Sequence, residues 1–127
     1  MARSILVDTD VLIDYFRGHG KAVAFVNAHS ARIILSSIVV VELYAGVKGD
    51  AEQAVLDNFV SLFRVVPVNS EIAKVGGLLK RDYGKSHGVG LADAILAATA
   101  EAENAELKTL STKHYPMHKG LRQAYRK

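Results

Sequence analysis

The chain has 127 residues, half of them apolar and 23% charged, so we expect one domain that spans residues 1–127 and buries a sizeable core. No apolar run is long enough to cross a bilayer, and Arg3 is the only basic residue before a short apolar run. We therefore expect a cytoplasmic protein without a signal peptide. The absence of cysteine excludes disulfides, thiol chemistry and the usual structural zinc sites.

The net charge of +3 is distributed unevenly along the chain. No acidic residue follows Glu106, whereas the same stretch contains six basic residues: Lys108, Lys113, Lys119, Arg122, Arg126 and Lys127. Such a block fits contact with a polyanion such as nucleic acid. An equal alternative is a solvated and partly frayed C-terminus.

The first third of the chain alternates short apolar runs with helical stretches. Residues 4–7 predict a buried strand that stops at Asp8. A helix capped by Thr9 or Asp10 is predicted through residue 16, a second helix from residue 21 to about 28, and a second strand over residues 32–36. Residues 38–47 contain three consecutive valines, which favour a strand, but the run exceeds strand length and we interpret it as a helix.

The remaining elements follow from the same two periodicities. In order, we predict a helix over 51–62, a strand over 64–68, a helix from 69 or 70 to about 83, a loop over 84–90, a helix over 91–105, a strand over 106–110 and an irregular basic end. Pro67 suggests that the third strand ends there or lies at an edge. The alternation of strands with helices indicates an α/β fold with a parallel sheet covered on both faces.

Three of the thirteen acidic residues lie in apolar sequence without a lysine or arginine in the same run: Asp8, Glu42 and Asp93. Asp8 also ends a buried strand, and in parallel sheets functional sites lie beyond the carboxyl ends of strands. Each alone has a simpler interpretation, as a helix cap or as the partner of an arginine. Together they predict a site for Mg²⁺ or Mn²⁺, whose chemistry is phosphoester hydrolysis, and we expect the three carboxylates to converge.

Four segments of the chain resemble the motifs of PIN domains, especially those of VapC-type toxins from toxin–antitoxin pairs. They are ILVDTDVLID (residues 5–14), SSIVVVELYAG (36–46), LADAILAA (91–98) and LKTLSTKHYPM (107–117). Their order and spacing agree with that family. The resemblance implies a three-layer α/β/α fold, RNA cleavage that depends on Mg²⁺ or Mn²⁺, a homodimer, and a cognate antitoxin that blocks the site.

The resemblance also implies roles for individual residues. Asp8, Glu42 and Asp93 would be the catalytic, metal-binding carboxylates. Candidate supporting residues within the motifs are Thr9, Asp10, Thr109 and Ser111, and candidate RNA-binding residues are Lys113, Lys119 and Arg122. Ser111 departs from the family, which usually has Asp or Asn there, and this puts a second metal ion in doubt. Asp10 is either a helix cap, the simpler role, or a replacement for that missing charge.

Two rival functions remain open at this point. Asp8-Thr9-Asp10 is similar to the paired aspartates of haloacid dehalogenase-like phosphatases. In this chain, however, Val11 and Leu12 stand one position too early after the second aspartate, and the acidic pair expected near the C-terminal end is missing. The other rival is a catalytically weak PIN-like module that binds RNA or protein. Ser111, where the family usually has Asp or Asn, would be the sign of its lost activity. A receiver domain is set aside because the third strand ends in Asn69 instead of a phosphoacceptor aspartate.

Overall fold

A computed structural model describes residues 2–127 of the chain. The strands are β1 (Ile5–Val7), β2 (Ile33–Ser36), β3 (Arg64–Val66) and β4 (Glu106–Lys108). The helices are α1 (Thr9–Phe16), α2 (Gly20–His29), α3 (Ser37–Ala45), α4 (Gly49–Ser61), α5 (Ser70–His87) and α6 (Leu91–Glu103), and a short 3₁₀ helix covers Thr112–His114.

The four strands form one parallel sheet in the order β3-β2-β1-β4. The predicted α/β fold with a central parallel sheet is therefore confirmed. All three residues of β1 and all four of β2 are buried, as expected for strands covered on both faces by helices. Among residues 2–127, none of the helices has the length and apolar character needed to cross a membrane.

Residues Ser37–Ala45 form helix α3, as the length of the apolar run predicted, although its three valines favour a strand. Ser36 ends β2 and caps α3, because its hydroxyl accepts a 3.2 Å hydrogen bond from the amide of Ile38. The strand and the helix thus meet without an intervening loop. The third strand ends at Val66, just before Pro67, and β3 lies at an edge of the sheet, so both consequences expected from this proline are observed.

The predicted loop over residues 84–90 is wrong for most of its length, because α5 continues through Gly84 to His87. A glycine inside a helix costs only about 1 kcal/mol, which a long packed helix tolerates. The helix ends at Gly88, whose φ of 63° lies in the left-handed region that glycine adopts without strain. Gly76 lets α5 approach α6 closely, since a Cβ there would lie 3.3 Å from the Cα of Ile95.

The C-terminal residues 121–127, here called the C-terminal arm, are docked on the domain instead of frayed. Gln123 forms a parallel bridge with Thr109, and the amide of Ala124 donates a 2.9 Å hydrogen bond to the Thr109 carbonyl. The hydroxyl of Tyr125 donates a 2.8 Å bond to Asp14, which is only 7% exposed. The alternative of a frayed terminus is therefore wrong.

Candidate active site

Asp8 lies at the carboxyl end of β1 and caps α1, and its buried carboxylate accepts three hydrogen bonds. Its Oδ1 accepts a 2.7 Å bond from the amide of Thr9. Its Oδ2 accepts a 2.8 Å bond from the hydroxyl of Thr109 and a 2.7 Å bond from the hydroxyl of Tyr115. These donors compensate for the loss of water around the carboxylate and fix its orientation.

Residues 109–111, here called the motif-four loop, follow β4 and are held by Asp10. The Oδ2 of Asp10 accepts bonds from the Leu110 amide at 3.1 Å and from the Ser111 hydroxyl at 3.0 Å. Its simpler predicted role, a helix cap, is wrong because Asp8 occupies the cap of α1. Burial and the charge of Asp8 raise the pKa of Asp10, although the bonds from Ser111 and Leu110 oppose this rise.

Tyr115 joins the first and third motifs through its hydroxyl. This oxygen lies 2.7 Å from Asp8 Oδ2 and 3.2 Å from Asp93 Oδ1, and the side chain is 1% exposed. Burial, with the charges of Asp8 and Asp93, strongly raises the pKa of Tyr115, so the hydroxyl keeps its proton. Tyr115 lies within the fourth motif but was not among the predicted site residues, since nothing in its neighbourhood indicates that it reaches a carboxylate 107 positions away.

Asp93 lies in the first turn of α6, where its half-buried side chain faces Asp8 across the Tyr115 hydroxyl. Burial and the negative charge of Asp8 raise the pKa of Asp93, while the Tyr115 hydroxyl and His114 oppose the rise. The ring Nδ1 of His114 lies 3.5 Å from Asp93 Oδ2. Asp8 and Asp93 are called the carboxylate pair below.

Glu42 does not fit the reasoning that selected it. The apolar run around it predicted a buried carboxylate, but Glu42 is exposed, and so is its neighbour Val41 at 61%. The prediction of burial failed because one face of α3, although apolar in sequence, is exposed to solvent in the structure. Glu42 still reaches the site, because its Oε1 accepts a 2.7 Å bond from the hydroxyl of Thr9, the residue after Asp8.

The structure therefore gathers the predicted site residues around Asp8, but in two different ways. Asp93 meets Asp8 at a shared hydroxyl, whereas Glu42 is joined to the site through Thr9. Within residues 2–127, no three acidic or histidine side chains lie close enough together to surround a metal ion as they stand. The expected convergence is thus observed for the carboxylate pair, and the three carboxylates do not form a ready ligand set.

The donor chemistry of the site nevertheless fits a hard divalent cation. Besides the Thr9 amide, the groups around Asp8 are the hydroxyls of Thr109 and Tyr115 and, across the latter, the Asp93 carboxylate, and such oxygen ligands suit Mg²⁺ or Mn²⁺. Burial and the charge of Asp8 raise the pKa values of Asp10 and Asp93, and a cation would relieve the part that is due to that charge. The buried Oδ1 of Asp10 accepts no hydrogen bond from the described residues.

The family model of the PIN domain matches residues 5–113. This chain belongs to the PIN domain family. The match makes the phosphatase and receiver alternatives untenable, and it agrees with the four motifs read from the sequence.

Named relatives of this PIN domain are ribonucleases. It is 36% identical over 124 residues to Ribonuclease VapC19 of Mycobacterium tuberculosis, covering 94% of this chain and 98% of that protein. It is 37% identical over 123 residues to Ribonuclease VapC10 of the same species, covering 93% and 90%. A chain of a toxin–antitoxin complex from Klebsiella pneumoniae has the same fold, with a TM-score of 0.84, 29% identity, and coverage of 98% of this chain and 100% of that chain.

An apolar groove of about 620 Å³ leads away from the PIN-domain site between α1, α3 and α4. Glu42 lies in its wall, so the groove begins next to the site. Its apolar lining includes Ile13, Phe16 and Val55, which are 39%, 38% and 59% exposed. Large exposed apolar side chains around one groove are typical of contact surfaces, although the charged residues Arg17, Lys48 and Glu52 also line it.

The candidate RNA-binding residues Lys113, Lys119 and Arg122 are all exposed. None of them takes part in a salt bridge with another described residue. Lys127 differs, because its ammonium lies 3.0 Å from Asp14 Oδ2 and so serves the docking of the C-terminal arm. The basic end therefore combines solvent-facing charges, to which the exposed Arg126 also belongs, with one charge that is used internally.

Proposed function

We propose that this PIN domain is a metal-dependent endoribonuclease that acts in the cytoplasm as the toxin of a toxin–antitoxin pair. Its relatives of 36% and 37% identity are named ribonucleases, and a structural relative comes from a toxin–antitoxin complex. The observation that carries the proposal is the meeting of Asp8 and Asp93 at one hydroxyl beyond the carboxyl end of β1. That position is where α/β sheets bind their ligands.

The proposed cofactor is Mg²⁺ or Mn²⁺, held by the carboxylate pair. When bound, such a cation polarises the phosphate and lowers the pKa of a water molecule that attacks it. The neighbouring groups of this site orient the carboxylates. Thr109 and the Thr9 amide hold the carboxylate of Asp8, and Thr9 also ties Glu42 to the same corner of the sheet.

Glu42 has a secondary role in this proposal. Only Oε1 of its carboxylate is engaged, by Thr9, and the side chain is exposed. We place Glu42 at the rim of the site, where a rotation of its side chain would bring a third carboxylate toward the carboxylate pair. The Ser111 hydroxyl donates a hydrogen bond to Asp10. Asp10 thereby places a carboxylate beside the motif-four loop, at the position where the family usually has Asp or Asn.

The proposed substrate is RNA, and the exposed cations Lys113, Lys119 and Arg122 are its proposed contacts. Of these three cations, Lys113 is the one next to the site along the chain, because its neighbour His114 lies 3.5 Å from Asp93. Contacts of this kind bind the phosphate backbone without reading sequence. Recognition of a particular RNA then depends on the shape of unpaired loops around the site.

The proposed partner is a cognate antitoxin, and the apolar groove is its proposed seat. An amphipathic segment that buried Ile13, Phe16 and Val55 would remove exposed apolar surface from water and lie against Glu42 at the same time. We expect a short neighbouring reading frame to encode this antitoxin. Co-expression of the two chains should give a stable complex that Phe16→Asp weakens, whereas Leu78→Asp, at a similarly exposed apolar position on α5 outside the groove, leaves it intact.

A nuclease assay tests the catalytic proposal. Purified protein should cleave single-stranded RNA in the presence of Mn²⁺ and lose this activity in a chelator. Asp8→Asn should abolish cleavage, whereas Asp82→Asn, which changes an exposed acid on α5, should retain it. Equal activity of the Asp8 variant and the parent would refute the assignment of Asp8.

The alternative of a weak RNA- or protein-binding module is supported by one observation, namely that the Ser111 hydroxyl is occupied by Asp10. This alternative predicts RNA binding without metal-dependent cleavage in the same assay. A homodimer stays a prediction, which light scattering of the purified protein would test.

A further inference from the structure

The Tyr115 hydroxyl has one hydrogen but two carboxylate neighbours. It lies 2.7 Å from Asp8 Oδ2 and 3.2 Å from Asp93 Oδ1. A phenol can donate one hydrogen bond at a time, and the shorter distance assigns that bond to Asp8. The hydroxyl therefore stands between two groups that would repel each other if nothing separated them.

The same hydroxyl completes the hydrogen bonding of Asp8 Oδ2. A carboxylate oxygen has about two acceptor positions, and those of Oδ2 are filled by Thr109 and Tyr115. One position of Oδ1 is filled by the Thr9 amide. Direct coordination through the side of Asp8 that faces Asp93 therefore requires Tyr115 to give up its hydrogen bond.

The side chain of Tyr115 is restrained by its surroundings. Its ring is buried in the hydrophobic core and is 1% exposed. Its amide donates a 3.0 Å hydrogen bond to the Thr112 carbonyl, and its own carbonyl accepts a 3.0 Å bond from the His118 amide. The buried ring and the two backbone bonds thus restrict how far the hydroxyl can move.

We propose that Tyr115 is a positioning residue whose hydroxyl occupies the place of the cation between Asp8 and Asp93, and so lowers the affinity of the site for metal. This inference rests on the proposed metal-dependent function. In the metal-free protein the hydroxyl donates to Asp8 and stands between its charge and that of Asp93. When the cation binds, the contact between Tyr115 and the pair is broken, and the cost of breaking it weakens metal binding.

Tyr115→Phe separates this role from simple support of the fold. Phenylalanine keeps the buried ring and removes only the hydroxyl. We expect the metal-free variant to melt at a lower temperature than the parent, because the carboxylate pair loses its donor. We also expect it to bind Mn²⁺ about tenfold more tightly, because a competing hydrogen bond of ordinary strength to a charged group has been removed.

The experiment is calorimetric titration of Mn²⁺ into the metal-free parent and variants, with thermal melting of each protein without metal. Tyr125→Phe is the matched control, because it removes another tyrosine hydroxyl that donates to a buried aspartate, Asp14, away from the carboxylate pair. It should lower the melting temperature without changing the Mn²⁺ affinity. Tyr115→Leu, which also lacks the hydroxyl, is a second variant, and titrating every protein well below its melting temperature keeps the comparison among folded proteins.

The outcomes distinguish the inference from the proposed function. Tighter Mn²⁺ binding by Tyr115→Phe, or binding by this variant alone, supports the inference. If the parent binds Mn²⁺ and the folded hydroxyl-free variants bind it equally or less tightly, the inference is overturned and the proposed function stands. If neither the parent nor these variants bind Mn²⁺, both are overturned.

Discussion

Thr109 donates a 2.8 Å hydrogen bond to Asp8 Oδ2, although the two residues are 101 positions apart in the chain. The contact is made possible by the pairing of β1 with β4, which brings Val7 opposite Lys108 and thus places the next residues of both strands side by side. Thr109 also accepts a 3.0 Å bond from the Ser111 amide. One fully buried hydroxyl therefore connects the first carboxylate to the motif-four loop.

Thr109→Val should reduce both stability and activity. The substitution keeps the shape of the side chain but leaves the Ser111 amide without its acceptor and removes one donor from buried Asp8. We expect a loss of about 1–3 kcal/mol in the free energy of unfolding. Urea denaturation measures this loss. Thr109→Ser, which restores the hydroxyl, should recover most of the stability, and a valine variant as stable as the parent would contradict the role of the bond.

Asp14 should make the stability of the domain depend on pH in acid. Burial by itself would raise the pKa of Asp14, but hydrogen bonds from Lys127 and Tyr125 outweigh it and hold the pKa below the ordinary value of 3.8. For a carboxyl whose pKa is lowered on folding, the stabilisation is present above the unfolded value and is lost as the pH falls through the folded value. The parent should therefore exceed Asp14→Asn in stability at pH 7.

Melting temperatures measured from pH 7 to pH 2 test this expectation. The difference between the parent and Asp14→Asn should shrink once the pH falls below about 3.8, the ordinary pKa of the group. The control is Asp57→Asn, since Asp57 also accepts a bond from a tyrosine, Tyr44, but on the exposed surface. A difference that stays constant down to pH 2 would show that Asp14 acts through its shape and not through its charge.

Asp93 should have the opposite effect in the metal-free protein. Burial and the charge of Asp8 raise its pKa, so the ionised form opposes folding and protonation relieves the strain. Asp93→Asn should therefore raise the melting temperature at pH 7 in a chelator, and this gain should vanish as the pH falls below the unfolded value. A variant that melts below the parent at pH 7 would mean that the hydrogen bonds of Asp93 outweigh its repulsion from Asp8.

The exposed cations of the basic end should contribute affinity for RNA without contributing to the chemistry. Neutralising Lys113, Lys119 and Arg122 together should weaken binding and flatten its dependence on salt, because fewer counterions are released. Cleavage at saturating RNA should change little. The control changes three cations of α5, Lys74, Arg81 and Lys85, by the same total charge. If both triple variants have the same salt slope, the basic end has no special part in binding.

The positions of the strands and of most helices could be predicted from the sequence, because they depend on local periodicity. Asp8 and Asp93 could also be found, since each is an acid in an apolar run that the structure does bury at least in part. The same rule selected Glu42, which is exposed, and overlooked Asp14, although Leu12, Ile13 and Tyr15 surround that acid with apolar sequence. A hydrophobic run does not state which of its faces the rest of the domain covers.

The features that escaped prediction depend on contacts between distant parts of the chain. Tyr115 reaches Asp8 across 107 positions, and Tyr125 reaches Asp14 across 111. Both tyrosines lie in a segment whose composition suggests only a basic, irregular end. Their roles come from the docking of that segment on the domain, which no local pattern encodes. The continuation of α5 through Gly84 has a similar origin, because packing against α6 outweighs the low helix propensity of one glycine.

The most direct test of the site is a crystal structure with Mn²⁺, in which anomalous scattering locates the ion without prior assumptions. We expect an ion bound to oxygens of both Asp8 and Asp93 at about 2.1 Å, with Glu42 turned toward it and the Tyr115 hydroxyl withdrawn from the pair. An ion bound elsewhere, or an unoccupied carboxylate pair at an Mn²⁺ concentration that supports RNA cleavage, would contradict the assignment of these two residues as the metal ligands.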